Sequence, residues 1–131
     1  MNKLREVVAY KNHFEDFLKT QPIKIQNKIF KIIEAVETIE MIPANYLKHI
    51  IDIKGLYEIR VQLGSNIWRV FCFFERGRIV ILLNGFCKKT DKTPKYEIQK
   101  AIVLMNAYKT NNLTVPNKSI IYGYCKKNFI H

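Results

Sequence analysis

The spacing of apolar residues divides the chain into a helical first half and a strand-rich second half. Residues 4–10 predict a short strand, and residues 13–20 predict a short helix with its apolar side chains on one stripe. Pro22 suits the first turn of a second helix, in which apolar residues recur at steps of three and four until about Met41. Residues 45–51 then predict a short helical turn.

After Gly55 the apolar period changes from 3.6 to 2, which is typical of strands. Residues 56–63, 67–74 and 79–86 predict three strands, and the short loops between them indicate an antiparallel meander. Thr93 and Pro94 suit the start of a final helix that runs to about Tyr108. The apolar stripe predicted for this helix consists of Ile98, Ala101, Ile102, Met105 and Tyr108. The order of elements predicts an α+β fold, with an N-terminal strand and helical hairpin packed on the meander.

Chain length and composition set the domain organisation. The 131 residues are about one domain's worth, and 48% hydrophobic residues suffice for a core, which excludes a disordered or collagen-like chain. We expect a single domain over residues 1–109. Residues 110–131 form an extension that is either a packed strand or a poorly ordered basic tail, and the sequence leaves both possibilities open.

Nothing in the pattern predicts a membrane segment or a signal for export. No apolar run reaches the roughly 20 residues that a membrane-spanning helix needs. The three cysteines, at positions 72, 87 and 125, have no metal-ligand spacing, so we expect reduced thiols in a cytoplasmic protein. No cofactor and no metal ion are expected.

Positive charge is concentrated in the second part of the chain. Residues 1–53 hold eight Lys/Arg and seven Asp/Glu, which gives +1, whereas residues 54–131 hold fourteen and four, which gives +10. This asymmetry favours a surface for a polyanion such as nucleic acid over a general lysine-rich background.

Basic side chains gather where the predicted strands meet the final helix. Arg60 and Arg69 lie on neighbouring strands and project on a common face if the register is symmetrical; we place that face on the exterior, opposite the core. The loop after the third strand adds the basic residues Lys88, Lys89, Lys92 and Lys95, followed by Tyr96. Such a cluster can clamp phosphates and stabilise charge on a phosphoryl group, while the tyrosine can stack on a base or transfer a proton. The alternative is that both arginines are ordinary solvated strand positions.

No standard catalytic motif accompanies this cluster. The three histidines, at positions 13, 49 and 131, lie far apart, and no nucleophile elbow, zinc-protease motif or phosphate-binding glycine loop occurs. Hydrolysis here is therefore expected to be metal-free. RNA suits such a site, because its own 2′-OH can attack the adjacent phosphate.

Several short motifs resemble one toxin superfamily. They are GLYEIRV at residues 55–61, WRVF at 68–71, GFCKKTDKTP at 85–94, and Glu97, Ile98 and Ala101 of the final helix. Their order and spacing over about residues 4–109 resemble the phage-derived, HigB-like branch of the RelE/ParE superfamily. Glu58 departs from that pattern, because RelE proteins often carry a lysine there.

The resemblance implies the toxin of a type II toxin–antitoxin system. RelE-like members cut mRNA on the ribosome and leave a 2′,3′-cyclic phosphate and a 5′-OH, and their antitoxin in HigB-type pairs is a HigA-like helix-turn-helix protein. Arg60, Arg69, Lys89 and Tyr96 would be the catalytic residues, and Lys88, Lys92 and Lys95 would bind RNA. The alternatives are a ParE-type inhibitor of DNA gyrase, which cuts no RNA, and a non-toxic nucleic-acid-binding module.

Overall fold

A six-stranded mixed sheet with helices on both faces forms the protein. The computed structural model describes residues 3–88, 93–111 and 118–120, the last three by their backbone. In chain order the elements are β1 (Glu6–Tyr10), α1 (His13–Lys19), α2 (Ile23–Thr38), β2 (Leu47–His49), β3 (Tyr57–Leu63), β4 (Asn66–Glu75), β5 (Ile79–Lys88), α3 (Lys95–Asn111) and β6 (Lys118–Ile120).

The strands follow the order β2-β3-β4-β5-β1-β6 across the sheet. β3, β4 and β5 pair antiparallel in sequence order, so the predicted meander is confirmed. β1 lies beside β5 and runs parallel to it, with Val8 opposite Ile81, which makes the sheet as a whole mixed. The helical hairpin of α1 and α2 connects β1 to the far side of the sheet, and the predicted α+β fold is thereby confirmed.

The segment between α2 and β3 contains a strand, and the helical turn predicted for residues 45–51 is wrong. β2 pairs antiparallel with β3, with Leu47 opposite Ile59 and Lys48 opposite Glu58. Leu47 packs against the same core as α2, while Lys48 points to the other face. A single helical turn is marginal in water, so sheet hydrogen bonds together with the burial of Leu47 decide the conformation.

Both faces of the sheet are buried, each against its own helical layer. One core packs α1 and α2 on side chains such as Ile59, Val70 and Leu82. The second core lies under α3, whose predicted stripe is confirmed, because all five of its residues belong to this core. The face bearing Arg60 and Arg69 is therefore partly covered by a helix, and its predicted exterior position is wrong. Among the described residues, no helix is long and apolar enough to cross a membrane.

A β-bulge interrupts β5 opposite Phe71. The register passes from Cys72 opposite Leu82 to Val70 opposite Gly85, so β5 carries one more residue than β4 there. The buried Asn84 in this bulge donates its side-chain amide to the backbone oxygen and to Oε1 of Glu97, at 3.3 Å each. The bulge thereby connects β5 to the first turn of α3. In the sequence, the only sign of the bulge is that Asn84 is a polar residue within an otherwise apolar stretch.

Gly85 allows α1 to approach the sheet closely. A Cβ added at this position would lie 2.6 Å from Cδ2 and 2.9 Å from Cε2 of Phe17. Real Cβ atoms do not approach a ring that closely, so a glycine is required beneath the aromatic side chain.

We predict that Gly85→Ala lowers the free energy of unfolding by about 1–3 kcal/mol, because the new methyl group displaces the ring of Phe17. Chemical denaturation measures the change. In a Phe17→Leu background the same substitution should lower the free energy of unfolding by a smaller amount, since the clash with the ring is relieved. An equal cost in both backgrounds would contradict the assignment of the clash to Phe17.

Candidate functional site

Arg60 of β3 and Arg69 of β4 lie directly opposite each other in the sheet. This register places both side chains on the face toward α3, so the predicted common face is confirmed. Both arginines approach the same carboxylate: Nε of Arg60 lies 3.3 Å and Nε of Arg69 lies 3.4 Å from Oε2 of Glu58. One acidic side chain thus holds the two guanidinium groups together.

The carboxylate also contacts the segment that leads into α3. Thr93 donates its hydroxyl to Oε1 of Glu58 at 3.3 Å, and only 3% of Glu58 is exposed. Glu58, Arg60, Arg69 and Thr93 are called the Glu58 cluster below. The cluster joins β3, β4 and the start of α3 through the two oxygens of one buried carboxylate.

The two arginines differ in their access to solvent. Arg69 is completely buried, and its guanidinium carbon lies 5.7 Å from the centre of the Phe86 ring, a cation–π distance. The side chain of Arg60 remains 17% exposed. Within the described residues, Arg60 is therefore the arginine of this cluster that an incoming anion can reach, while Arg69 contributes its charge from below.

A cleft of about 320 Å³ adjoins the Glu58 cluster. Glu58 and Thr93 form part of its wall, and the other lining residues are Lys48, His49, Ile50, Ile51 and Ile98. Lys48 lies opposite Glu58 in the sheet and is exposed, so it adds a positive charge beside the cluster. The cleft combines an apolar interior with charged side chains at its margin.

The predicted lysines divide between the described and the undescribed residues. Lys88 ends β5 opposite Ile67, on the same face as Arg69, and is exposed. Lys95 is exposed at the first residue of α3. Lys89 and Lys92 lie outside the described residues. The structure thus places Lys88 and Lys95 at the two ends of the basic loop.

Tyr96 lies on the first turn of α3 with 70% of its surface exposed. A hydrogen bond to Glu97, the charge of that carboxylate and some desolvation raise the pKa of Tyr96 above its ordinary value. The phenol therefore keeps its proton at neutral pH. The side chain can donate a proton or stack on a nucleic-acid base, but it is poorly suited to accept a proton.

Sequence reasoning missed the centre of the site. It treated Glu58 as a departure from a pattern and did not consider Thr93 or Lys48 as site residues. The available signal was the alternation of β3, which puts Glu58 on the same side as Arg60, two residues away. Among the described residues, no group of three or more His, Cys, Asp and Glu side chains could hold a metal ion.

We predict that Glu58→Gln lowers the free energy of unfolding by roughly 3–5 kcal/mol, because it leaves the buried guanidinium of Arg69 without its carboxylate. Urea denaturation measures the change, with Glu34→Gln on the exposed side of α2 as the matched control. A Glu58→Gln/Arg69→Met double variant should be more stable than the sum of the two single effects implies. A Glu58→Gln protein within about 0.5 kcal/mol of wild type would contradict a structural role for the ion pair.

Comparison with known proteins gives one family. The family described as phage derived protein Gp49-like matches residues 16–106, which is more than half of the 131-residue chain. The matched stretch contains α2, the meander, the Glu58 cluster and most of α3. A search of curated proteins found no match.

Proposed function

We propose that this chain is the toxin of a type II toxin–antitoxin pair and cuts mRNA on the ribosome. The premise is that the chain belongs to the phage-derived Gp49-like family, which is related to RelE/HigB-like toxins. We further propose that it belongs to the HigB-like branch of the RelE/ParE superfamily. The observation that carries the proposal is the pair of opposed arginines on one carboxylate, with the partly exposed Arg60 two residues along β3 from a residue of the cleft wall.

Metal-free cleavage by the 2′-OH of RNA fits these residues. The 2′-OH gives its proton to a water molecule, and its oxygen forms a bond to the adjacent phosphorus. The bond from phosphorus to the 5′-oxygen breaks and that oxygen takes up a proton, which leaves a 2′,3′-cyclic phosphate and a 5′-OH. Negative charge grows on the phosphoryl oxygens during this step. Arg60 would bind those oxygens directly, and Arg69 would stabilise them from its buried position, as electrostatic catalysis requires.

The remaining predicted residues would position the RNA and move a proton. Tyr96 would donate a proton to the departing 5′-oxygen, because its phenol is exposed and carries a proton at neutral pH. Lys89 would add charge at the scissile phosphate. Lys88, Lys92 and Lys95 would contact the flanking phosphates, which makes binding steeply dependent on salt.

Three macromolecular partners belong to this proposal. A toxin-related family implies a cognate antitoxin, which we propose to be a HigA-like helix-turn-helix protein. The mRNA substrate would be presented by a translating ribosome in the cytoplasm. The +10 charge of residues 54–131 supports association with these polyanions.

We predict that Arg60→Ala reduces mRNA cleavage at least about 10²-fold, because it removes a positive charge from the developing phosphoryl charge. The measurement is 5′-end mapping of mRNA after induced expression in cells. Wild type should produce new 5′ ends within translated frames. Arg78→Ala, an exposed arginine in the turn between β4 and β5, is the matched control and should cut as wild type does.

Other outcomes of this experiment point to the alternatives. Growth arrest with intact mRNA would contradict nuclease activity and favour inhibition of DNA gyrase. If soluble wild-type protein neither arrests growth nor cuts mRNA, the remaining hypothesis is a non-toxic nucleic-acid-binding module. We choose Arg60 rather than the buried Arg69 because loss of Arg69 also disturbs the fold.

A further inference from the structure

We propose that the cleft beside the Glu58 cluster binds one unpaired RNA base next to the scissile phosphate, with Ile51 contacting the base and Lys48 contacting its phosphate. This inference rests on the proposed function and adds a specificity site to it. Neither residue belongs to the cluster that would act on the phosphate.

The position of the cleft favours a nucleotide adjacent to the reacting one. Lys48 and Glu58 are direct cross-strand neighbours, and side chains so placed lie about 5 Å apart at Cβ. The backbone N–H of Arg60 donates to the carbonyl of Tyr46 at 2.8 Å, which fixes the start of β2 against β3. The wall of the cleft and the arginine that would bind phosphate therefore belong to two adjacent, hydrogen-bonded strands.

The size and lining of the cleft suit a single base. Its volume of about 320 Å³ lies at the small end of ligand sites, which span roughly 300–1,000 Å³. Ile50 and Ile98 line the interior, and Ile51 is 76% exposed at the margin. An aliphatic surface gains more contact area from the larger ring system of a purine than from a pyrimidine, so it favours a purine. A lysine at the margin can bind the charged backbone.

The turn that carries Ile51 has a fixed shape before any ligand arrives. Ile50 is buried, its N–H donates to the carbonyl of Leu56, and the N–H of Ile53 returns to the carbonyl of Ile50. Asp52 adopts a φ of +69°, which turns the chain sharply after Ile51. A preorganised turn loses little conformational entropy on binding, so it can discriminate between ligands.

The histidine of the cleft does not supply the stacking surface. The ring of His49 packs edge to face on Tyr57 with 5.1 Å between the centroids. The strand register places both residues on the opposite face of the sheet from Lys48. The apolar contact with a base is therefore assigned to the isoleucines.

The test is the base preference at the cleavage site, read from the nucleotide frequencies around mapped 5′ ends. Ile51→Ala should weaken the preference at one position next to the cut and lower total cleavage by no more than about tenfold. Lys48→Ala should lower cleavage at all sites alike and leave the preference unchanged, because a phosphate contact carries no sequence information. Ile23→Ala and Lys31→Ala, both exposed on α2, are the matched controls.

The outcomes separate this inference from the function on which it rests. Wild-type cleavage with an unchanged preference in Ile51→Ala would overturn the base site and leave the nuclease proposal standing. Absence of cleavage in wild type would overturn both. Ile51→Gln provides a second variant at the same exposed position, and it should alter the preference while thermal unfolding stays at the wild-type temperature.

Discussion

The candidate site depends on one buried carboxylate that lies between two guanidinium groups. Burying the charges of Glu58 and Arg69 is costly, and pairing opposite charges offsets part of that cost. Glu58 supplies a partner to both arginines because they are opposed on adjacent strands, with Nε of Arg60 at 3.3 Å and Nε of Arg69 at 3.4 Å from one of its oxygens. The other oxygen accepts the hydroxyl of Thr93 and so connects the sheet to α3.

The second constraint is the placement of α3 over the same face. The bulge in β5 and the hydrogen bonds of Asn84 to Glu97 fix the first turn of this helix, which carries Tyr96 and Lys95. Helix α3 packs over the part of this sheet face that carries Phe71, Phe73 and Phe86, and it leaves Arg60 at the edge of the covered area. As a result, Arg69 is buried and Arg60 keeps part of its side chain in contact with solvent.

Much of the fold could be predicted from the apolar period. The meander, the helical hairpin and the stripe of α3 follow from side-chain spacing, and the strand pairing of Arg60 with Arg69 follows from the short turn between β3 and β4. The parallel partner of β1 and the strand β2 depend on contacts far along the chain, which local patterns do not encode. The partial burial of the arginine face was missed for the same reason, since α3 packs there through tertiary contacts.

The sequence predicted the common face of Arg60 and Arg69 and missed the carboxylate between them. Charge counting finds Arg60, Arg69 and the lysines, because positive charge points to an anion. It cannot find Glu58, whose role is to hold the arginines and whose sign is opposite to that of the surface. The cation–π contact between Arg69 and Phe86 likewise requires the register of β4 and β5, including the bulge.

The most direct test of this arrangement is the hydrogen exchange rate of each arginine Nε–H, measured by NMR on the folded protein. The account predicts that the Nε–H of Arg69 exchanges far more slowly than that of the exposed Arg76, because it is buried against Glu58. Arg60 should fall between them. Equal exchange rates for Arg69 and Arg76 would contradict the buried ion-pair cluster and the site built on it.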